Sequence, residues 1–315
     1  MSDAYHPVQR LRVTAGQAGQ RLDNFLFARF RQLPKARIYR MLRKGEVRVN
    51  GGRARQSYRI QAGDELRLPP VRLPAVADAE LRIGSRDLQA VASAMLYEDD
   101  DLLVINKPAG LAVHSGSGVD YGVIDVLRKL RPEAQFLELV HRLDRSTSGC
   151  LLLARNRQTL VALHELWRSG GVSKRYLALV AGQWQEGRRQ VDLPLERSGQ
   201  QGQIRQTRVS DEGKQALSHF EPLTVFDDAT LMAVTIDTGR THQIRVHAAE
   251  LGYPLLGDDR YGDFRLNREW KKRGLKRLFL HAHKLEFRLS PGAPLHRFEA
   301  PLGDDLNRVL ESLHG

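Results

Sequence analysis

Leu139-Val140-His141-Arg142-Leu143-Asp144-Arg145-Ser146-Thr147-Ser148-Gly149-Cys150-Leu151-Leu152-Leu153 is the stretch on which the fold turns. Apolar runs lead into it (Leu137, Leu139, Val140) and out of it (Cys150 to Leu153). Both runs are short enough to be buried strands rather than helices. Between them lies a polar loop, His141 to Gly149, with Asp144 at its centre and Arg142 and Arg145 on either side. A loop clamped by two core strands presents its carboxylate rigidly, and nearby cations favour the ionised form. An ionised, fixed carboxylate is what a nucleophile or base requires. The same residues suit a simpler role, in which Asp144 caps a turn through Thr147 and Ser148. The pattern alone leaves both open.

Three further segments flank this one in order: Asn106-Lys107-Pro108-Ala109-Gly110 before it, then Lys174-Arg175-Tyr176-Leu177-Ala178-Leu179-Val180, then Gly239-Arg240-Thr241-His242-Gln243-Ile244-Arg245-Val246-His247. Together with His141–Gly149 they resemble the RluA-type pseudouridine synthases, whose signature is His-Arg-Leu-Asp, two variable residues, then Thr-Ser-Gly. Ser146 departs from the acidic residue usual in that signature, at a variable position. Any one segment alone is weak; four in order are specific. With the N-terminal module described below, the resemblance covers nearly the whole chain.

Charge says where a partner would bind. The 315 residues carry a net charge of +12, and residues 1–70 hold 15 Lys+Arg against 5 Asp+Glu. The remaining residues hold 34 against 32. A polyanion is therefore expected at the N-terminal fifth, and with no long apolar segment or lipid-anchor motif, nucleic acid fits better than a membrane. The single cysteine, Cys150, sits in an apolar run, so no internal disulfide can form and the thiol reads as a small buried filler. The start of the chain lacks the apolar core of a secretion signal, and a cytoplasmic protein is expected.

In chain order, a short strand at Leu11–Val13 is followed by a helix opened by Arg21-Leu22-Asp23-Asn24 and lined by Leu22, Phe25, Leu26 and Phe30. A second helix runs from Pro34 to Gly45 with Ile38, Met41 and Leu42 inward. Arg37, Arg40 and Lys44 form a cationic stripe on another face, and Arg53 and Arg55 follow the Asn50-Gly51 turn of a hairpin. A strand at Glu65–Leu68 and Pro69-Pro70 close the unit. The segment resembles the small RNA-binding domain named after a ribosomal small-subunit protein. Arg21, Lys35, Arg37, Arg40, Arg43, Lys44, Arg53 and Arg55 are its expected RNA contacts. Residues 71–92 read as a linker, with residues 1–70 and 93–315 as the two domains.

In the second domain, strands are expected at Leu102–Ile105, Tyr176–Val180, 218–225, 230–236, 285–289 and 296–300, and helices at Val123–Leu130 and Thr159–Trp167. Residues 183–210 read as a hairpin or long loop, Thr241 as the cap of a helix to Leu251, and 264–273 as a basic helix or loop. Arg245 falls off that helix's inward face, where a partner could reach it. The fold class is α+β: a small N-terminal RNA-binding domain, two helices plus a short sheet, tethered to a catalytic domain. The mixed, largely antiparallel β-sheet of the latter is what the resemblance implies.

The resemblance implies the chemistry too: isomerisation of specific uridines to pseudouridine in large-subunit ribosomal RNA or its precursor particle. Asp144 would be the nucleophile, Tyr176 would pack on the base, and Arg245 would keep the aspartate charged. Arg142 would insert where the base leaves the RNA; His141 and Lys107 stand on the same substrate side, Lys107 with Pro108 as supports of the pocket wall rather than reactants. Whether Asp144 attacks the sugar, adds to the base or removes a sugar proton is left open. The reaction is redox-neutral and transfers no external group, so no cofactor is expected. Neither a phosphate-cradling glycine loop nor a Cys/His ligand set is present. His242 and His247 lie five apart, off the i, i+4 spacing of a helical zinc pair, and His281 and His283 lack a third ligand. Consecutive carboxylates at Glu98–Asp101 cannot all face one ion, so metal is expected to be none. No obligate protein partner is evident and a monomer is expected. The competing class is an RNA-binding factor using only residues 1–70 beside a decayed catalytic domain. The joint presence of Asp144, Tyr176 and Arg245 weighs against it.

Overall fold

The computed structural model describes residues 4–30, 33–73, 83–116, 119–198 and 206–313. The chain divides into two units, residues 1–82 and 83–315. In the first, β1 (Ala4–His6) and β2 (Gln9–Arg12) precede helices α1 (Leu22–Arg29) and α2 (Lys35–Arg43). Strands β3 (Arg48–Val49), β4 (Gly52–Arg53), β5 (Glu65–Leu68) and β6 (Val71–Leu73) follow, with sheet order β2-β5-β3-β4. Leu22, Leu26, Ile38, Met41, Ile60, Leu66 and Leu68 are sealed from solvent between the helices and this sheet. The β3–β4 turn works because Asn50 and Gly51 both take positive φ, 51° and 79°. The Asn50 amide donates to Asp64 at 2.8 Å, pinning the hairpin to the next turn.

Pro69-Pro70 does not end this unit. Proline lacks an N–H but favours extended backbone, and the chain resumes as β6, paired antiparallel with β1. The linker reading of residues 71–92 is corrected at both ends. Besides β6, it holds helix α3 (Ser85–Ala92), anchored by fully buried Val91 with Ile83 and Leu88 packed on the same core. That apolar spacing was masked by the segment's alanine content. Residues 74–82 lie outside the described set.

The second unit continues with β7 (Met95–Glu98), β8 (Leu102–Lys107), α4 (Val123–Leu130), β9 (Glu138–Leu139), β10 (Ser148–Ala154), α5 (Arg157–Ser169) and β11 (Val172–Ala181). Next come β12 (Arg189–Asp192), β13 (Leu195–Ser198), β14 (Gln206–Val209), β15 (Leu217–Val225), β16 (Ala229–Ile236), α6 (Gln243–Glu250) and α7 (Phe264–Lys272). The chain closes with β17 (Leu280–Phe287), β18 (His296–Glu299) and α8 (Asp304–Glu311). The main sheet runs β12-β15-β16-β11-β17-β10-β8-β7, with β18 on β17 and β9 on β10. All its pairings are antiparallel except β10–β17, so the sheet is mixed and the fold is α+β. The β13–β14 hairpin lies within 183–210, and its tip, with Arg205, falls outside the described residues.

β10 explains the apolar run after Gly149. Leu151 and Leu153 pack into a core with α4, whereas Cys150, Leu152 and Ala154 pack into another with α5. A strand buried on both faces needs an unbroken apolar sequence. Truncating one such leucine to alanine costs about 2–5 kcal/mol.

Candidate active site

The Asp144 loop enters β10 at the one parallel junction of the main sheet. Gly149 there has φ 114°, and a Cβ on it would stand 2.3 Å from the Ala282 carbonyl oxygen on β17, so only glycine fits. The adjacent Ser148 hydroxyl pairs with His281 Nδ1 at 2.9 Å, and the other ring nitrogen of His281 lies 2.9 Å from the Ala300 carbonyl. Within the loop, the Thr147 N–H donates to the Asp144 carbonyl at 3.1 Å. The main chain closes the turn and the side chain of Asp144 is left to face other groups.

The Asn106–Gly110 segment is clamped against this loop. Gly110 N–H donates to the Arg145 carbonyl at 2.7 Å and Arg145 Nε donates back to the Gly110 carbonyl at 2.8 Å. Lys107 is fully buried, and its Nζ donates to the carbonyls of Pro108 and Leu111, both at 2.8 Å, and of Arg145 at 3.4 Å. Burial pushes the Lys107 ammonium down to about 7, against the pull of Asp144.

Asp144 is about a quarter exposed, and two donors face its Oδ2: Arg245 Nη1 at 3.7 Å and His242 Nε2 at 3.8 Å. Arg245 is buried and held from behind by Asp258, which accepts from Nε and Nη2, each at 2.7 Å. Burial opposes the charge on Arg245, but the hydrogen bonds and charge of Asp258, with the Asp144 charge, raise its pKa. Asp258 is likewise kept ionised: burial works against it, and Arg245 outweighs burial. His242 begins α6 in the left-handed region, φ 55° and ψ 23°, and Asn50 is its only non-glycine companion at positive φ among the described residues. Such a conformation costs a side-chain-bearing residue about 1–2 kcal/mol. Burial lowers the His242 pKa against the pull of Asp144, so the ring is neutral at neutral pH.

Tyr176 lies on β11 where two residues of β11 step against three of β17, an irregularity of the kind that re-aims a side chain. Burial first, then the Asp144 charge, pushes its phenol well above the ordinary range, so it stays protonated. Asp144, Tyr176, Arg142, Ile236 and Arg240 line both an open cavity of about 500 Å³ and a recess of about 70 Å³. Arg245, Gln243 and Leu280 close the recess, and Lys174 and Arg197 border the larger cavity. The arrangement is a small, partly apolar socket with a carboxylate at its wall and a cationic approach. It suits a planar base and a phosphate-bearing strand.

Comparison with known proteins agrees. Residues 101–250 match the RNA pseudouridylate synthase family, and residues 20–66 match the S4 domain. The ribosomal large subunit pseudouridine synthase C of Escherichia coli (strain K12) is 50% identical over 311 residues, covering 97% of each chain. The protein of the same name from Haemophilus influenzae is 45% identical over 306 residues, 97% of this chain and 95% of that one. The chain belongs to the RNA pseudouridine synthase family. Among solved structures, human RNA pseudouridylate synthase domain containing 4 superposes with a TM-score of 0.59 at 26% identity, over 72% of this chain and 95% of that one.

In this pseudouridine synthase the structure brings Asp144, Tyr176, Arg245 and exposed Arg142 to one cavity. Lys107, expected on the RNA side, is corrected: it is sealed inside as a strut between loops. His141 borders the larger cavity, where it stacks on Trp167 with ring centroids 5.0 Å apart and its Nε2 accepts from the Leu152 N–H at 3.1 Å; burial takes its pKa to about 4. Arg245 is not free for a partner, because Asp258 and Asp144 occupy it. Thr241 is not the helix cap; His242 holds that position, and Gln243 Oε1 accepts from the Arg240 N–H at 3.0 Å. His247 is a satisfied core histidine beside Ser218 Oγ and the Leu193 carbonyl, both at 3.0 Å. Cys150 is buried, and burial takes its thiol to about 12, far from a reactive thiolate.

In the S4 unit Lys35, Arg37, Arg40, Arg43, Lys44, Arg53 and Arg55 are all exposed. Arg21 differs: its guanidinium is committed to Asp23, at 2.7 and 3.0 Å. Sequence reasoning missed Asp258 and Tyr261, and took His242 only as a failed metal ligand. The available signal was an acid and a phenol in turns that glycine alone could have made, Gly257-Asp258 and Tyr261-Gly262. Among the described residues no group of three His, Cys, Asp or Glu is placed to hold a metal ion, and no helix is long and apolar enough to cross a membrane.

Proposed function

We propose that this enzyme converts specific uridines of large-subunit ribosomal RNA, or of its precursor particle, to pseudouridine, with Asp144 as nucleophile. The observation that carries the reading is the Asp144 carboxylate, 3.7 Å from the buried Arg245 guanidinium, in a recess it shares with Tyr176. The substrate class follows from relatives half identical along 97% of the chain that bear that name.

The isomerisation breaks the bond from sugar to base nitrogen, turns the base, and joins the sugar to a base carbon. No electron or external group enters, so the reaction needs no cofactor. It needs an ionised carboxylate, a hold on the detached base, a dry socket and an extruded nucleotide. Arg245 places a positive charge 3.7 Å from Asp144 Oδ2. Tyr176, protonated at working pH, packs on the base and can donate to it. Arg142, exposed at the cavity mouth, fills the gap in the RNA stack. The first unit, residues 1–82, docks on phosphates and the second, 83–315, carries the chemistry. Attack on the sugar, addition to the base and removal of a sugar proton all use the same ionised oxygen.

The test follows tritium released from large-subunit ribosomal RNA labelled at the uridine carbon that exchanges, without added metal. Release is expected from wild type and none from Asp144→Asn, with RNA affinity retained. Failure of the wild type to release tritium from this RNA, or an active Asp144→Asn, rejects the reading. Pseudouridine mapping in a strain lacking the protein identifies the sites.

A further inference from the structure

Both donors facing Asp144 Oδ2 are held by one turn, Asp258–Tyr261. Asp258 Oδ1 accepts the N–H groups of Arg260 and Tyr261, at 2.9 and 3.1 Å, while the same carboxylate grips Arg245. Tyr261 places its ring 5.1 Å beneath the Arg245 guanidinium and its hydroxyl 2.8 Å from His242 Nδ1. The Thr207 backbone N–H, on β14, meets the same hydroxyl oxygen at 3.1 Å.

A backbone N–H can only donate, so the Tyr261 oxygen accepts from Thr207, which leaves its single proton available to His242 Nδ1 at 2.8 Å. With Nδ1 accepting, the neutral ring carries its proton on Nε2, the nitrogen 3.8 Å from Asp144 Oδ2. Separations of this kind commonly tighten when substrate binds. The strained backbone at His242 points the same way, since residues are kept in the left-handed region where surrounding structure and function require it.

We propose that Tyr261 is a positioning residue of the isomerisation, fixing His242 in the Nε2–H tautomer so that Asp144 is oriented by a neutral donor beside the charged one from Arg245. This rests on the reading of Asp144 as nucleophile. A second full cation in place of His242 would hold the carboxylate too firmly to react; a neutral N–H orients the same oxygen at lower cost to its reactivity.

Two measurements test it on the full chain. The first is a long-range 1H–15N spectrum of protein labelled with 15N-histidine, the His242 signal assigned by its loss in His242→Gln. The expected result is a proton on Nε2 and a bare Nδ1, redistributed in Tyr261→Phe; a proton on Nδ1 in the wild type overturns the proposal. The second is tritium release at varied RNA concentration. Tyr261→Phe and His242→Asn, which suits the left-handed backbone, are each expected to lower kcat about tenfold, the worth of one hydrogen bond to a charged group, with KM within about twofold. The double variant is expected to be no worse than His242→Asn, because the two residues act in series. His242→Gln, whose amide N–H reaches one methylene further than that of asparagine, toward the position of Nε2, is expected to recover part of the loss. Unchanged kcat in Tyr261→Phe, or losses that multiply in the double variant, overturns the proposal. Heat unfolding accompanies each variant, and a kcat loss that only tracks a lower Tm also overturns it. Asp144→Asn separates the two readings: if it is inactive while the His242 and Tyr261 variants are fully active, only the positioning role fails.

Discussion

The two units of this chain use cations in opposite ways. In the S4 unit Arg37, Arg40, Arg43, Lys44, Arg53 and Arg55 are exposed and none has an ion pair among the described residues. At the active site Arg245 is buried, bridged by Asp258 and facing Asp144, and Lys107 is spent on three carbonyls. Exposed unpaired charge acts at long range and fades with salt; buried paired charge has a fixed direction and is barely screened. The first kind recruits a polyanion, and the second orients a reacting oxygen.

The comparison breaks most sharply at Asp144. Asp144→Ala is expected to lower single-turnover tritium release by at least about 10³-fold, as removal of a nucleophile does elsewhere, with RNA affinity unchanged in a filter-binding assay. An equal loss of affinity would mean that the buried set also recruits RNA. Asp258→Ala comes next. It leaves the Arg245 guanidinium buried without its bidentate partner, and a stability loss of about 3–5 kcal/mol is expected in urea unfolding. A loss under about 1 kcal/mol would show that Asp144 alone suffices to hold Arg245.

Acid sharpens the buried side. His281, fully buried behind the Asp144 loop, has its pKa lowered by burial to about 4. The unfolded chain binds its proton near the ordinary value of about 6.5, so between there and about 4 the unfolded state holds more protons and stability falls as pH falls. From pH 7 to 5 this one group is expected to remove about 2 kcal/mol, and His281→Gln to remove that share of the pH dependence. The smallest effect belongs to the exposed set. Replacing Arg37, Arg40 and Lys44 by Gln is expected to flatten the salt dependence of RNA binding by about 2 in log-log slope, leaving kcat at saturating RNA unchanged. An unchanged slope would make the stripe a solvated face.

Much of the site was legible because four of its segments are local. The His141–Gly149 loop, Lys107, Tyr176 and the Gly239–His247 stretch could each be picked out as short strings, and the strands and helices that carry them follow from apolar periodicity. The roles inside those strings were less legible. Lys107 and His141 are polar in sequence yet one is sealed against carbonyls and the other is stacked on Trp167, since burial depends on neighbours 38 and 26 residues away. Asp258 and Tyr261 were opaque for the same reason: their partners Arg245, His242 and Thr207 come from α6 and β14, which only packing brings alongside.

Sequence by itself determined that there are two units, that the first is cationic and that β10 is buried, because charge, turn chemistry and unbroken apolar runs are written in neighbouring residues. Tertiary structure decided which groups face Asp144, which hydroxyl meets His242 Nδ1 and which cations are spent inside. Those properties depend on distances of 3 to 4 Å between segments far apart in the chain, and no local pattern encodes them.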